Sequence, residues 1–256
     1  MKNITIQDIK DFKKATSPFA TLTAYDFNSA QILDAAEIPL ILVGDSASMI
    51  MYGYNTTLPV SMDEMLLIVK AVSRGAKHSL VVADMPFLSY QPSLETTIRN
   101  AGLFMKEGRA GAVKLEGGER VMKNITGLVE HGIPVLGHVG LTPQSFYQMS
   151  GYKIQGKTPE GAQKIIDDAM AVEDAGAFGV VLECVPEALA TQITQNLKIP
   201  TIGIGSGNTC DGQIQVFHDI MGLMANDPPK HAKQYDDLYT NMLNIVKRYK
   251  NDVEQL

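Results

Sequence analysis

Residues 110–119 read AGAVKLEGGE, and within them Lys114 and Glu116 alternate with Val113 and Leu115. That alternation is the period of a strand and puts the two ionisable residues on one face. An ammonium and a carboxylate near the end of an apolar strand are costly to bury unless they are paired or put to use. Taken alone, a structural ion pair accounts for them. Four other apolar runs end in the same manner: PLILVGDS (39–46) at Asp45, LVVADMP (80–86) at Asp84, IPVLGHVG (133–140) at His138 and FGVVLEC (178–184) at Glu183. At corresponding ends of parallel strands these groups would converge on one surface. Asp45, Asp84 and Glu116 make a hard-oxygen set that suits Mg2+ better than Zn2+, and Mg2+ keeps waters that an oxygen-bearing substrate can replace. Lys114 would neutralise a substrate carboxylate or a developing enolate. Glu183 is free to act as a base, its apolar strand raising its pKa towards working pH by desolvation. A supporting ligand or a structural pair is the alternative for Glu183. His138 reads as a group that orients a carboxylate and is not assigned as the base. Together these parts point to proton abstraction beside a chelating carbonyl, as in a Mg2+-assisted aldol-type reaction.

The elements that must position these residues alternate strand and helix. Ile4 to Lys14 reads as a short amphipathic helix carrying Ile6, Ile9 and Phe12 on one side, and FATLTAY (19–25) as the first strand. Asp26 follows, either supporting the side chains of a site from behind or capping the next helix. The segment 47–61 reads as a loop, and Ser61 with Glu64 forms a capping-box pattern. Ser93 caps a third helix, and Glu119 to Glu130 gives the next. Leu141 to Thr158 is polar and lacks a helical face, the character of a functional loop or lid. Thr158-Pro159 opens a helix through Ala175, FGVVLEC is strand six, IPTIGIGSG (199–207) strand seven, and DGQIQVFHD (211–219) a short strand eight. The glycines of GIGSGN (203–208) read either as a phosphate cradle or as a tight turn. After Pro228-Pro229 a last helix carries Tyr235, Leu238, Tyr239, Met242, Val246, Tyr249 and Val253 as an apolar stripe suited to packing or a subunit interface. Eight strands with helical connections in 256 residues predict one (β/α)8 TIM-barrel domain over 1–256, with an N-terminal capping helix and a C-terminal helix. A doubly wound open sheet is the alternative, although it would separate the strand ends on two sides of a switch point.

Composition narrows the function classes. Hydrophobic residues make up 45% of the chain, which argues against disorder, and a net charge of −6 gives no pull towards nucleic acid or anionic membranes. No apolar run reaches the length of a membrane span, and the start MKNITIQDIK lacks the apolar segment of a signal peptide. Two cysteines, Cys184 and Cys210, have no metal-ligand spacing and fit a reducing cytoplasm.

The motifs LTAYD (22–26), VGDS (43–46), TTLPV (56–60), ADMPF (83–87), VKLEGG (113–118), GHVGLTPQS (137–145), GYKIQG (151–156), LECVP (182–186) and GIGSGN with DGQ (203–213) run almost the whole chain. In that order they resemble the ketopantoate hydroxymethyltransferase family. The resemblance implies a metal site at Asp45, Asp84 and Glu116, keto-acid contacts at Asp45, Ser46, Asp84 and Lys114, and a proton acceptor at Glu183. It also implies transfer of a hydroxymethyl group from 5,10-methylenetetrahydrofolate to 3-methyl-2-oxobutanoate, giving 2-dehydropantoate in pantothenate synthesis, by a homodecamer. Asn55 stands where the family commonly has an acid and Ser206 where alanine is frequent; both concern loops. Two rival readings remain. A lyase of the isocitrate-lyase-like group would carry a catalytic cysteine on a mobile loop, which neither Cys184 nor Cys210 occupies. A non-catalytic keto-acid or metal sensor would bind without turnover, against which an intact base at Glu183 argues.

Overall fold

The computed structural model describes residues 2–256. Eight strands pair in sequence order and close on themselves as a barrel. They are β1 (Phe19–Thr23), β2 (Leu40–Val43), β3 (Leu80–Asp84), β4 (Ala112–Glu116), β5 (Val135–Gly140), β6 (Gly179–Glu183), β7 (Thr201–Ile204) and β8 (Gly212–Gln215). Closure rules out the open sheet.

Strand parity explains how one barrel holds both a dry core and a polar mouth. Leu80 and Val82 of β3, Ala112 of β4, Leu136 of β5 and Val181 of β6 meet in the interior cluster, together with Leu40, Leu42 and Ile202. Two residues further along the same strand faces come Asp84, Lys114, His138 and Glu183, with Glu116 one step beyond Lys114. The parallel register sets them side by side: Asp84 is opposite Lys114, Glu116 opposite His138, and Gly140 opposite Glu183. The inward face is therefore apolar at the N-terminal end and ionisable at the C-terminal end. Each fully buried aliphatic side chain of that lower layer stabilises the barrel by about 1.5–3 kcal/mol. Helix α1 (Ile6–Asp11) closes the lower end, with Ile9 fully buried in the cluster, Ile4, Ile6 and Phe12 packed against it, and Phe12 stacked on Phe19 at 4.5 Å.

The helices start where the chain offers a side-chain acceptor for their first N–H groups. Asp26 caps α2 (Phe27–Ala35) by accepting from the Asn28 and Ser29 amides, at 2.8 and 2.9 Å. Ser61 and Glu64 form the expected capping box on α4 (Met62–Gly75), after a short α3 (Ala47–Ile50) that lies inside the segment expected to be wholly loop. Ser93 caps α5 (Leu94–Lys106). The helix expected from Glu119 begins instead as a 3-10 turn over Glu119–Val121 and becomes α6 (Met122–Glu130). Thr158 caps α7 (Pro159–Asp174), and α8 (Glu187–Asn196) follows β6. The eighth strand is shorter than expected because residues from Phe217 turn into α9 (Phe217–Met221), which Gly222 stops in the left-handed conformation.

The chain divides into two compact units, 1–214 and 215–256. The second contains α9 and α10 (Leu238–Glu254), and α10 buries none of its residues. Along its apolar stripe Met242 is 55% exposed and Val246 62%. Among the described residues no helix is long and apolar enough to cross a membrane.

Candidate active site

The expected ionisable residues do come together at the C-terminal ends of the strands. Asp45, Asp84, Lys114, Glu116 and His138 are all buried, and Glu183 keeps 18% of its side chain exposed. The Lys114 ammonium lies 2.8 Å from Asp84 Oδ1 and 3.9 Å from Glu116 Oε1. The Asp45 amide donates to Asp84 Oδ2 at 3.1 Å. Glu116 Oε2 accepts the Gln144 amide at 2.9 Å, and Asp45 Oδ2 accepts from the Gln144 side chain at 3.0 Å. One oxygen of each acid is thereby held by a fixed donor. Glu116 Oε1 has no hydrogen bond, and Asp84 Oδ1 is matched only by the ammonium.

Burial and crowding decide the charge states. Desolvation, opposed by Lys114 and assisted by Asp45, pushes the Asp84 carboxyl up to about 7. Glu116 is raised well above the ordinary carboxylate range by desolvation and by Asp45. Burial works against the charge on Lys114, but Asp84, Glu116 and Asp45 outweigh it and keep the ammonium protonated. His138 is driven far down by burial and by the Lys114 charge, so its ring is neutral. Its Nδ1 faces Lys114 Nζ at 3.3 Å and must accept there, which leaves the ring proton on Nε2. Nε2 lies 3.2 Å from Glu183 Oε2, without the alignment of a full hydrogen bond. His138 therefore links Lys114 to Glu183, in keeping with an orienting role.

Three buried acids face one cation, an arrangement that a divalent ion would relieve. Among the described residues no group of three or more His, Cys, Asp and Glu side chains is drawn close enough to hold a metal ion as it stands. Mg2+ asks for less: it commonly takes one or two carboxylates and fills its remaining positions with water and substrate oxygens. Asp45 and Asp84, joined through the Asp45 amide and leaving hard oxygens at the mouth, fit that demand, with Glu116 beside them.

Ser46 lies next to Asp45, and its hydroxyl is 2.7 Å from the buried Tyr25 hydroxyl. Tyr25, Tyr90 and Gln144 were not singled out by sequence pattern. Gln144 is the hub: besides its bonds to Asp45 and Glu116 it donates to the Met85 carbonyl at 2.9 Å and accepts from Tyr90 at 2.8 Å. Its sequence signals are its place in the GHVGLTPQS motif and the preceding Pro143, which sits at the start of a 3-10 turn over Pro143–Ser145. Beyond Gln144 the segment opens outward, and Tyr147 is 78% exposed. The GIGSGN segment is a tight turn. The Ser206 hydroxyl donates to the Leu182 carbonyl at 2.8 Å, and the Asn208 amide is taken by Glu187, a carboxylate where a phosphate cradle would need a vacant donor.

A cavity of about 570 Å3 adjoins the site through Glu116 and Gln144. A second, of about 440 Å3, lies beneath the 141–158 segment and shares Arg120 and Gln148 with the first.

Known proteins resemble this chain at two levels of detail. Solved structures share the fold: phosphoenolpyruvate phosphomutase from Streptomyces platensis subsp. rosaceus superposes with a TM-score of 0.66 at 10% identity, covering 98% of this chain and 88% of that one. A 2,3-dimethylmalate lyase of the PEP mutase/isocitrate lyase superfamily gives 0.61 at 16% identity, over 84% of this chain and 78% of that one. The sequence comparisons are far closer. The 3-methyl-2-oxobutanoate hydroxymethyltransferase of Carboxydothermus hydrogenoformans is 51% identical over 255 residues, covering 100% of this chain and 92% of the relative. That of Syntrophus aciditrophicus is 49% identical over 253 residues, covering 99% and 93%. The profile described as ketopantoate hydroxymethyltransferase matches residues 3–256, and the chain belongs to that family.

Proposed function

We propose that this chain forms 2-dehydropantoate by moving a hydroxymethyl group from 5,10-methylenetetrahydrofolate to 3-methyl-2-oxobutanoate. The observation that carries the reading is the charge pattern at the barrel mouth. A buried ammonium is flanked by acids, and one further acid, Glu183, is left partly open to a substrate. Asp45, Ser46, Asp84 and Lys114 would contact the keto acid. Asp45 and Asp84, with Glu116, would hold Mg2+, which when bound polarises the keto-acid carbonyl. Glu183 removes the C3 proton, with the neutral His138 ring beside it to fix its orientation. Lys114 stays protonated and offsets negative charge on the substrate. The C3 carbon then bonds to the one-carbon unit, both carbon–nitrogen bonds to the carrier break, and water supplies the hydroxyl oxygen while the carrier nitrogens are left protonated. The homodecamer implied by the family resemblance would cover the exposed stripe of α10.

Proton removal can be watched without the carrier. Wild-type protein with Mg2+ and 3-methyl-2-oxobutanoate in D2O should exchange the C3 proton. Glu183→Gln should slow that exchange by roughly 10²–10⁴, the range for a general base, while still binding keto acid. Exchange at the wild-type rate in Glu183→Gln would move the base elsewhere.

A further inference from the structure

We propose that the cavity of about 570 Å3 beside Glu116 and Gln144 seats the one-carbon carrier, with Arg120 pairing the carrier's anionic tail. The inference rests on the function proposed above and gives that reaction its second binding site. Three observations carry it. The first is contiguity: the cavity shares Glu116 and Gln144 with the catalytic cluster, so a ligand filling it would lie next to a keto acid held by Lys114. Its remaining wall comes from residues after β2, β3 and β4 and from the segment at 144–148, and Glu183 of β6 is not part of it. Base and carrier would thus reach the keto acid from different sides of the barrel mouth.

The second observation is the chemistry of the wall. Phe87, Leu58 and Val121 supply apolar surface, and Gln91, Asn124 and Gln148 supply amide heads. A flat, amide-edged heteroaromatic is the ligand class such a lining takes, and the volume is that of an ordinary small-molecule site. The third is Arg120. Its guanidinium donates to the Ser145 hydroxyl at 3.0 Å and is engaged by no carboxylate among the described residues. By contrast Lys164, the other cation at the neighbouring cavity, is spent on Glu119 and Asp168. Gly117 makes room for the arginine: at φ 122° it has no side chain, and a Cβ there would come within 2.6 Å of Arg120 Nε. Arg120 and Gln148 border both cavities, so a carboxylate tail leaving the first would pass the Arg120 guanidinium on its way to the second.

The test is steady-state kinetics with 5,10-methylenetetrahydrofolate, run beside the carrier-free C3 exchange in D2O. Arg120 and Phe87 are both exposed, so their substitution leaves the core intact. Arg120→Met should raise KM for the carrier at least tenfold, the size of a lost charge-assisted contact, and Phe87→Ala should raise it several-fold. Exchange of the C3 proton should stay within about twofold of wild type in both, because proton removal needs no carrier. Gln148→Ala, another exposed position, should follow Phe87→Ala. Unchanged carrier KM in Arg120→Met and Phe87→Ala, in a wild type that exchanges and turns over, would overturn the cavity assignment alone. Loss of exchange in step with the carrier KM would also overturn it. A wild type that neither exchanges nor turns over would defeat the functional reading instead.

Discussion

Replacing Lys114 by methionine keeps the length of the side chain and removes its charge. At 2.8 Å from Asp84 Oδ1 the ammonium attracts that carboxylate by about 6 kcal/mol at an effective dielectric of about 20. At 3.9 Å it would attract Glu116, in its ionised form, by about 4 kcal/mol on the same basis. Most of this offsets the desolvation of the three groups, so the net loss on removing one partner of such a buried cluster is about 3–5 kcal/mol. For a chain of this size that corresponds to a fall of roughly 6–20 °C in Tm. The loss has a definite pH dependence. Asp84 and Glu116 already bind their protons more tightly in the folded barrel than an ordinary carboxylate does, Asp84 at about 7. A group whose folded pKa lies above its unfolded value makes stability fall as pH rises between the two. Without Lys114 both acids rise further. The deficit of Lys114→Met relative to wild type should therefore grow as pH rises through about 7, where Asp84 ionises in the wild type but not in the variant, and stay smaller in acid, where both folded proteins hold the proton and the unfolded carboxyls are common to both. Thermal melts at pH 7.5 and pH 4.5, with chelator present so that no divalent ion substitutes for the ammonium, measure this. Equal Tm values at pH 7.5, or a deficit that grows in acid, would refute the account.

Gln144→Met preserves volume but removes the donor to Asp45 and the acceptor for Tyr90. It should cost about 2–3 kcal/mol in stability and weaken Mn2+ binding, read by the EPR signal of the free ion, by about 10–100-fold. Unaltered Mn2+ affinity in the folded variant would remove Gln144 from the site's support. At Gly140, φ is 94° and a Cβ would lie 2.4 Å from the Glu183 carbonyl oxygen. Gly140→Ala should therefore displace the end of β6, cutting C3 exchange at least tenfold and stability by about 1–3 kcal/mol; exchange at the wild-type rate would show that this backbone approach does not matter. The segment beyond Gln144 should be protected by ligand, because excluding water guards an enolate. Hydrogen exchange at GYKIQG that is equally slow with and without keto acid would count against a lid.

The positions a reader can assign from sequence are those governed by strand parity. Asp84, Lys114, Glu116, His138 and Glu183 continue inward faces whose earlier members are apolar, so the alternation that marks each strand also says which way its last residue points. The caps at Asp26, Ser61 and Ser93 were legible for the same local reason, since a short oxygen-bearing side chain ahead of an amphipathic run has few other uses. What stayed hidden depends on contacts far apart in the chain. Gln144 is 99 residues from Asp45 and sits in a segment without period, so no pattern within it could show that its amide would hold that carboxylate. Tyr25 lies beyond the end of β1 and meets Ser46 just beyond β2 because those two strands are parallel neighbours in the barrel. Even the carboxylates were only partly legible. Residue types and strand ends indicated an oxygen site, whereas in the fold Lys114 and Gln144 stand among the acids, and among the described residues no three of them are close enough to hold an ion as they stand. A Mg2+ site built on Asp45 and Asp84 would leave more of an octahedral ion's positions to water and a chelating keto acid than one that also took Glu116 directly.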